Sequence, residues 1–185
     1  MTLFAVIFTC TCTVLLVRAE STGSSDARLF KMAASTGFVA IALSVGGLST
    51  AYGRMVLLAL VFSWIGDLLL TFTARSAFLG GLTTFLLGHV AYSVAFGILG
   101  VNAAIAAVTS IGMTIIGLLV WQWLSPHAED MAAPVITYIV VITVIVVAAF
   151  AAFGDGASVF IPIGAGLFHA SVLLLPETSS SLLGS

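Results

Sequence analysis

Apolar residues run in blocks long enough to cross a bilayer, and polar residues gather between the blocks at short intervals. Residues 2–17 read as a short first span, followed by a polar connection, Arg18-Ala19-Glu20-Ser21-Thr22-Gly23-Ser24-Ser25-Asp26-Ala27-Arg28. A second span opens at Leu29 and runs to about Val45, where Gly46-Gly47 ends it, and a third covers about Tyr52 to Phe72. The fourth covers about Phe78 to Leu99, the fifth Ala103 to Trp123, the sixth Ala133 to Phe153, and a seventh Ser158 to Leu175. The pattern predicts an all-α polytopic transmembrane helical bundle of about seven spans.

Composition agrees with that pattern. The 185 residues are 61% hydrophobic and 6% charged, with mean hydropathy +1.28, whereas a soluble domain carries roughly a quarter charged residues. No soluble domain of ordinary size fits beside the spans. Residues 1–185 therefore read as one integral membrane domain, with the bundle over residues 1–176 and a polar tail over residues 177–185. A net charge of −2 with five basic residues leaves no polybasic stripe, so neither nucleic acid nor strong anionic-lipid recognition is expected; no protein partner is predicted. The partner that remains is the lipid bilayer. Met1 to Phe8 lacks the basic start of a secretory signal, so the first run is read as a span; its shortness keeps a cleaved signal open as an alternative. Cys10 and Cys12 are two apart on one helix and point to different faces, which makes them small core residues rather than a local pair.

The loops near residues 18–31 and 73–77 fall on one side and hold Arg18, Arg28, Lys31 and Arg75, while the other side holds only Arg54. By the positive-inside rule this predicts an external N-terminus and an internal C-terminus, with Trp121 and Trp123 beside Ser125-Pro126-His127 as an interfacial belt. The expected location is the cell (plasma) membrane.

The candidate chemistry centres on Asp67, set between Phe62-Ser63-Trp64-Ile65-Gly66 and Leu68-Leu69-Leu70. An ionised acid in hydrocarbon loses hydration worth several kcal/mol, so such residues face a bundle interior or wet cavity and mark pathways or reaction centres. Ser63, Asp67 and Thr71 share one stripe of the third span, with Gly66 allowing a neighbouring helix to approach. On the fourth span Phe85, His89, Tyr92 and Phe96 share another. The economical packing sets Asp67 toward His89 and Tyr92, with Lys31 at the mouth of the second span reaching inward or snorkelling outward. Blander readings stand beside these. His89 is equally a structural histidine bonding a carbonyl, Tyr92 an interfacial anchor, and Lys31 a span terminator. Zinc needs about three protein ligands, and with His127 in a loop beside Glu129 and Asp130 and His169 alone on the last span, no metal is predicted.

Two blocks carry a family likeness: Ser63-x-x-Gly66-Asp67-x-Leu69-Leu70, and Gly81-Leu82-x-x-Phe85-Leu86-Leu87-Gly88-His89-x-x-Tyr92-x-x-x-Phe96. Together they resemble the YhhN family of integral membrane proteins, which includes the lysoplasmalogenases. The likeness extends more weakly to Arg28-Leu29-Phe30-Lys31, where the family places Lys-Pro and this chain has Lys31-Met32, and to Tyr138. It implies a bundle of about eight helices. It also implies hydrolysis of the vinyl ether bond of lysoplasmalogens, releasing a fatty aldehyde and a glycerophospho-alcohol without a cofactor. Vinyl ether hydrolysis is limited by protonation of the β-carbon, which gives an oxocarbenium ion that water captures. A carboxyl kept neutral by apolar burial could supply that proton. On this reading Asp67 is the acid, His89 and Tyr92 orient it or the water, and Lys31, Ser63 and Tyr138 bind the lysophospholipid, Lys31 through its phosphate.

The far end departs from the family pattern. Where the family carries Gly-Ala-x-x-Phe-x-x-Ser-Asp, this chain reads Gly164-Ala165-Gly166-Leu167-Phe168-His169-Ala170-Ser171-Val172, so Val172 stands in the place of a second acid. The remaining Pro176-Glu177-Thr178-Ser179-Ser180-Ser181 leaves no room for an eighth span, and the tail reads as truncated or rewritten. If catalysis requires both carboxyls, the chain is impaired unless His169 substitutes as a base. Two other classes stay open: a non-catalytic lipid-binding bundle with Asp67 as a hydrogen-bonded remnant, and a small proton-coupled transporter, for which internal repeats would be expected.

Overall fold

The computed structural model describes residues 2–128 and 132–167. Six helices in it are long and apolar enough to cross a membrane: α1 (Thr2–Ser21), α2 (Ala27–Ser44), α3 (Ala51–Leu69), α4 (Arg75–Leu99), α5 (Ala103–Ala128) and α6 (Ala132–Gly154). A further helix, α7, begins at residue 160 and is described to residue 167, so the rest of the predicted seventh span, with His169, Ser171 and Val172, lies outside the described residues. Glu129, Asp130 and the polar tail lie outside them as well. No strand occurs among the described residues, and the all-α, multi-pass reading holds.

Three helices end by the same device. After α1, Gly23 takes φ +64°, its N–H bonds the Glu20 carbonyl, and the Ser24 N–H reaches back to Ala19 at 2.9 Å. Gly46 after α2 and Gly156 after α6 repeat the geometry, with Gly47 reaching Ala42 and Ala157 reaching Ala152. In each the glycine adopts a left-handed conformation that a Cβ would oppose, and the helix's last carbonyls find partners. This closure carries α1 a full turn beyond the predicted residue 17, through Arg18 and Glu20. At the other kind of boundary, Thr50 caps α3 by accepting from the Gly53 N–H at 3.0 Å.

Helix α5 also outruns its prediction, continuing past Trp123 through Ser125-Pro126 to Ala128. A proline in the last turn removes only the bond to the carbonyl four residues back. That carbonyl belongs to Gln122, and the Ser125 hydroxyl donates to it at 3.4 Å.

The chain divides into two compact units, Met1–Ile98 and Leu99–Ser185. In the first, α1 to α4 run in alternating directions. Thr9 of α1 meets Gly37 of α2, Thr36 of α2 meets Trp64 of α3, and Ala59 and Ser63 of α3 meet Gly88 of α4. Glycine sets the closest approaches. A Cβ on Gly66 would sit 2.7 Å from the Phe85 ring, and one on Gly88 would sit 3.1 Å from the Ala59 carbonyl oxygen. The ends of α1 and α3 and the starts of α2 and α4 consequently lie at one end of this unit, the end that carries Arg18, Arg28, Lys31 and Arg75.

In the second unit α5 packs on α6, whose buried face is built from Ile142, Ile145, Val146, Ala149 and Ala152. Its corner is pinned by Asn102, which caps α5 through Ile105 N–H and donates from Nδ2 to the Gly154 carbonyl at 3.2 Å.

Candidate functional site

Asp67 stands in the last turn of α3, and Lys31 near the start of α2. Because the helices are antiparallel, the two meet: Lys31 Nζ lies 3.2 Å from Asp67 Oδ1. The other carboxylate oxygen, Oδ2, accepts a hydrogen bond from the Ser35 hydroxyl. Lys31 and Ser35 are four residues apart and so share one face of α2. The carboxylate is thus held on two different oxygens by two different groups of a single neighbouring helix.

This arrangement differs from a carboxyl held by apolar burial alone, because a cation lies beside it. Leu68 and Leu70 face outward, and Asp67 is 16% exposed against 35% for Lys31. An ion pair of this kind offsets much of the cost of bringing a charge into an apolar bundle, and its partial exposure keeps that cost below the figure for a deep interior. Lys31 does what the sequence reading allowed, reaching inward from the mouth of its span. Ser35 was missed. Its spacing of four from Lys31 was the available signal.

The expected convergence of Asp67 with His89 and Tyr92 has a different geometry. Gly81 of α4 lies against Gly66 and Leu70, and Gly88 against Ala59 and Ser63, which defines the antiparallel register of α3 and α4. Continued along α4, that register sets Tyr92 roughly 15 Å from Asp67 along the axis, at 1.5 Å rise per residue. Tyr92 instead stacks on Phe96, ring centroids 6.1 Å apart. It does not join the carboxylate. His89 is buried at 5% exposure beside Gly88, and its Nδ1 is 2.5 Å from the Phe85 carbonyl oxygen one turn earlier. That bond fits the structural reading of His89 and orients its ring.

Ser63 is turned to its own helix, donating to the Ala59 carbonyl at 3.0 Å, and packs against Gly88. Tyr138 belongs to α6, in the second unit, where it is half-buried. Cys12 is buried and Cys10 exposed, both as free thiols. The second unit contains an open, apolar cleft of about 500 Å³ between α5 and α6, lined by Met113, Gly117, Trp121, Ile139 and Thr143 among others. Its polar contributors are threonine hydroxyls and the indole of Trp121, so it offers room for hydrocarbon but no acid or base. Asp67, Lys31 and Ser35 bring a carboxylate, an ammonium and a hydroxyl together at one end of the first unit.

No curated protein and no solved structure matches this chain. The blocks around Asp67 and His89 nonetheless fall inside a longer match that begins at the first residue of α2, four positions before Lys31: residues 27–178 fit the YhhN family, and the chain belongs to it.

Proposed function

We propose that the protein is a lysoplasmalogenase-like membrane hydrolase that cleaves the vinyl ether of a lysoplasmalogen, with Asp67 as proton donor. Family membership supports the reaction class. The observation that carries the reading is the Lys31–Asp67 pair at the end of α2 and α3, a cation and a carboxyl side by side and both partly accessible. A lysoplasmalogen presents a phosphate and a vinyl ether separated by only a three-carbon glycerol, so it needs an anion-binding group and an acid close together.

In the reaction the carboxyl gives its proton to the β-carbon of the C=C bond, and the α-carbon becomes an oxocarbenium ion beside the newly formed carboxylate. The negative charge stabilises that cation. Water adds to the α-carbon, loses a proton, and the hemiacetal breaks its C–O bond to give aldehyde and alcohol. One water is consumed and no cofactor is needed. Because the oxocarbenium ion is a strong electrophile, a single carboxyl suffices as acid and then as base, which accommodates valine at position 172. Lys31 is assigned to the substrate phosphate, and Ser35 to holding the carboxyl in place.

The test is turnover of 1-alkenyl-glycerophosphocholine by purified protein in detergent, read as fatty aldehyde released. Asp67→Asn keeps the shape of the side chain but has no acid proton, and is expected to lower the rate by roughly a hundredfold or more while the helical signal is retained. Equal rates in the two proteins would end the assignment of Asp67. A second reading, a lipid-binding bundle without catalysis, is favoured by the same ion pair taken as purely structural. It predicts lysolipid binding with no aldehyde formed by either protein.

A further inference from the structure

In the ion-paired state Asp67 is an anion whose charge is shared with Lys31, and an anion has no proton to give. The geometry points to a way out, because the two partners hold different oxygens. Lys31 contacts Oδ1 and Ser35 contacts Oδ2. We propose that the Lys31–Asp67 ion pair is a latch opened by the phosphodiester of the substrate headgroup, so that the lipid switches its own proton donor on. This rests on the hydrolase reading above and adds headgroup-dependent control to it.

The ammonium sits on four methylenes and the Lys31 side chain is 35% exposed, so the charged end can turn toward the interface while its stem stays on α2. Asp67 has a short side chain and cannot follow. When the lipid phosphate takes the ammonium, one anion replaces another on Lys31 and the total charge of the pair is conserved. The carboxylate, left without its cation, takes up a proton from a solvent hydronium ion, which leaves as water. Ser35 keeps its hold on Oδ2 throughout, since a hydroxyl can donate to a carboxylate or accept from a carboxylic acid. The released Oδ1 is the oxygen that carries the proton. It faces the space the ammonium has left, where the ether one glycerol away from the phosphate comes to lie.

The latch separates from mere phosphate binding by what happens to a substrate without phosphate. Wild-type protein is expected to hydrolyse 1-alkenyl-glycerophosphocholine about tenfold or more faster, in kcat/KM, than phosphate-free 1-alkenylglycerol, the scale of one charge-assisted contact. Lys31→Met should lose that preference and, having no latch to open, should hydrolyse 1-alkenylglycerol faster than wild type does. Lys31→Arg restores a cation and should restore the preference.

If wild type handles both substrates alike, or if Lys31→Met slows both equally, the latch is overturned while the hydrolase reading stands. Stimulation of 1-alkenylglycerol hydrolysis by millimolar inorganic phosphate in wild type and not in Lys31→Met would be the same exchange made by a free anion and supports the latch; equal stimulation of both proteins would overturn it. If wild type hydrolyses neither substrate, the hydrolase reading fails. The latch, a switch on proton donation, falls with it, and equal binding of a saturated-ether lysophosphocholine by wild type and Lys31→Met would reject headgroup exchange at Lys31 as well.

Discussion

Trp64 on α3 donates its indole N–H to the Thr36 hydroxyl on α2 at 3.0 Å, one residue beyond Ser35, which bonds Asp67. Two polar crossings in consecutive positions of α2 therefore hold the same stretch of α3, and they define the rotation that brings Lys31 and Asp67 together. Trp64→Phe keeps the ring and removes the donor. It is expected to cost about 1 kcal/mol, the usual net worth of such a bond, and to loosen the Lys31–Asp67 pairing. Thermal unfolding in detergent checks the first effect. The headgroup preference defined above checks the second, and should narrow.

The ion pair itself predicts a non-additive mutant cycle. Removing one partner of a buried pair costs roughly 3–5 kcal/mol because a lone charge is left behind; with Asp67 16% and Lys31 35% exposed, about 1–3 kcal/mol is expected here. Lys31→Met/Asp67→Asn leaves no charge stranded, so the double variant should be more stable than the sum of the single losses implies. Strict additivity in unfolding experiments would mean that the two side chains do not pair.

Gly66 is the close-approach point between α3 and α4, with the Phe85 ring 2.7 Å and the Thr84 hydroxyl 3.1 Å from where a Cβ would stand. Gly66→Ala must push α4 away from the helix that carries Asp67. Overpacking of this kind costs roughly 1–3 kcal/mol. Gly66→Ala combined with Phe85→Leu should recover most of the loss, whereas Phe85→Leu alone should destabilise by opening space. The cycle is read by melting temperature.

Much of this architecture is legible in the chain. Apolar runs locate α2, α3, α4 and α6 to within a few residues, because in a membrane protein length and hydropathy carry the signal directly. The ends of α1 and α5 were less legible, since both continue through polar residues whose backbone groups are satisfied by a glycine closure at Gly23 and by Ser125 next to Pro126. Asp67 announced itself by its cost. Its partner helix did not, because α3 and α4 are apolar nearly all round and a two-residue stripe does not define their rotation. Gly66, Gly81 and Gly88 were the better guide. They mark where α4 comes closest to α3, and by occupying that face they leave Asp67 to α2. Ser35 was hidden for a related reason. A hydroxyl on a membrane helix commonly bonds its own preceding turn, as Thr36 does with Met32, and nothing in the one-dimensional pattern says which hydroxyl will cross instead.

Asn102 joins the two ends of the α5–α6 pair with three bonds: its N–H to the Ala151 carbonyl, its Oδ1 to the Ile105 N–H, and its Nδ2 to the Gly154 carbonyl. The three can be separated. Asn102→Asp keeps the cap acceptor, adds a charge that suits a helix N-terminus, and turns the bond to Gly154 into a contact between two acceptors. Asn102→Ala loses both side-chain bonds and is expected to cost about 1–2 kcal/mol for the cap alone. Neighbouring Gly100 has φ +124°, and the Asp155 carboxylate fills the place a side chain would need, so Gly100→Ala meets both strain and a clash. The order of stability should be wild type, Asn102→Asp, then Asn102→Ala, as measured by unfolding in detergent. Hydrogen exchange at Ile105 should speed up in the alanine variant and not in the aspartate one. If Asn102→Asp proves as damaging as Asn102→Ala, the tie to Gly154 rather than the helix cap holds this corner.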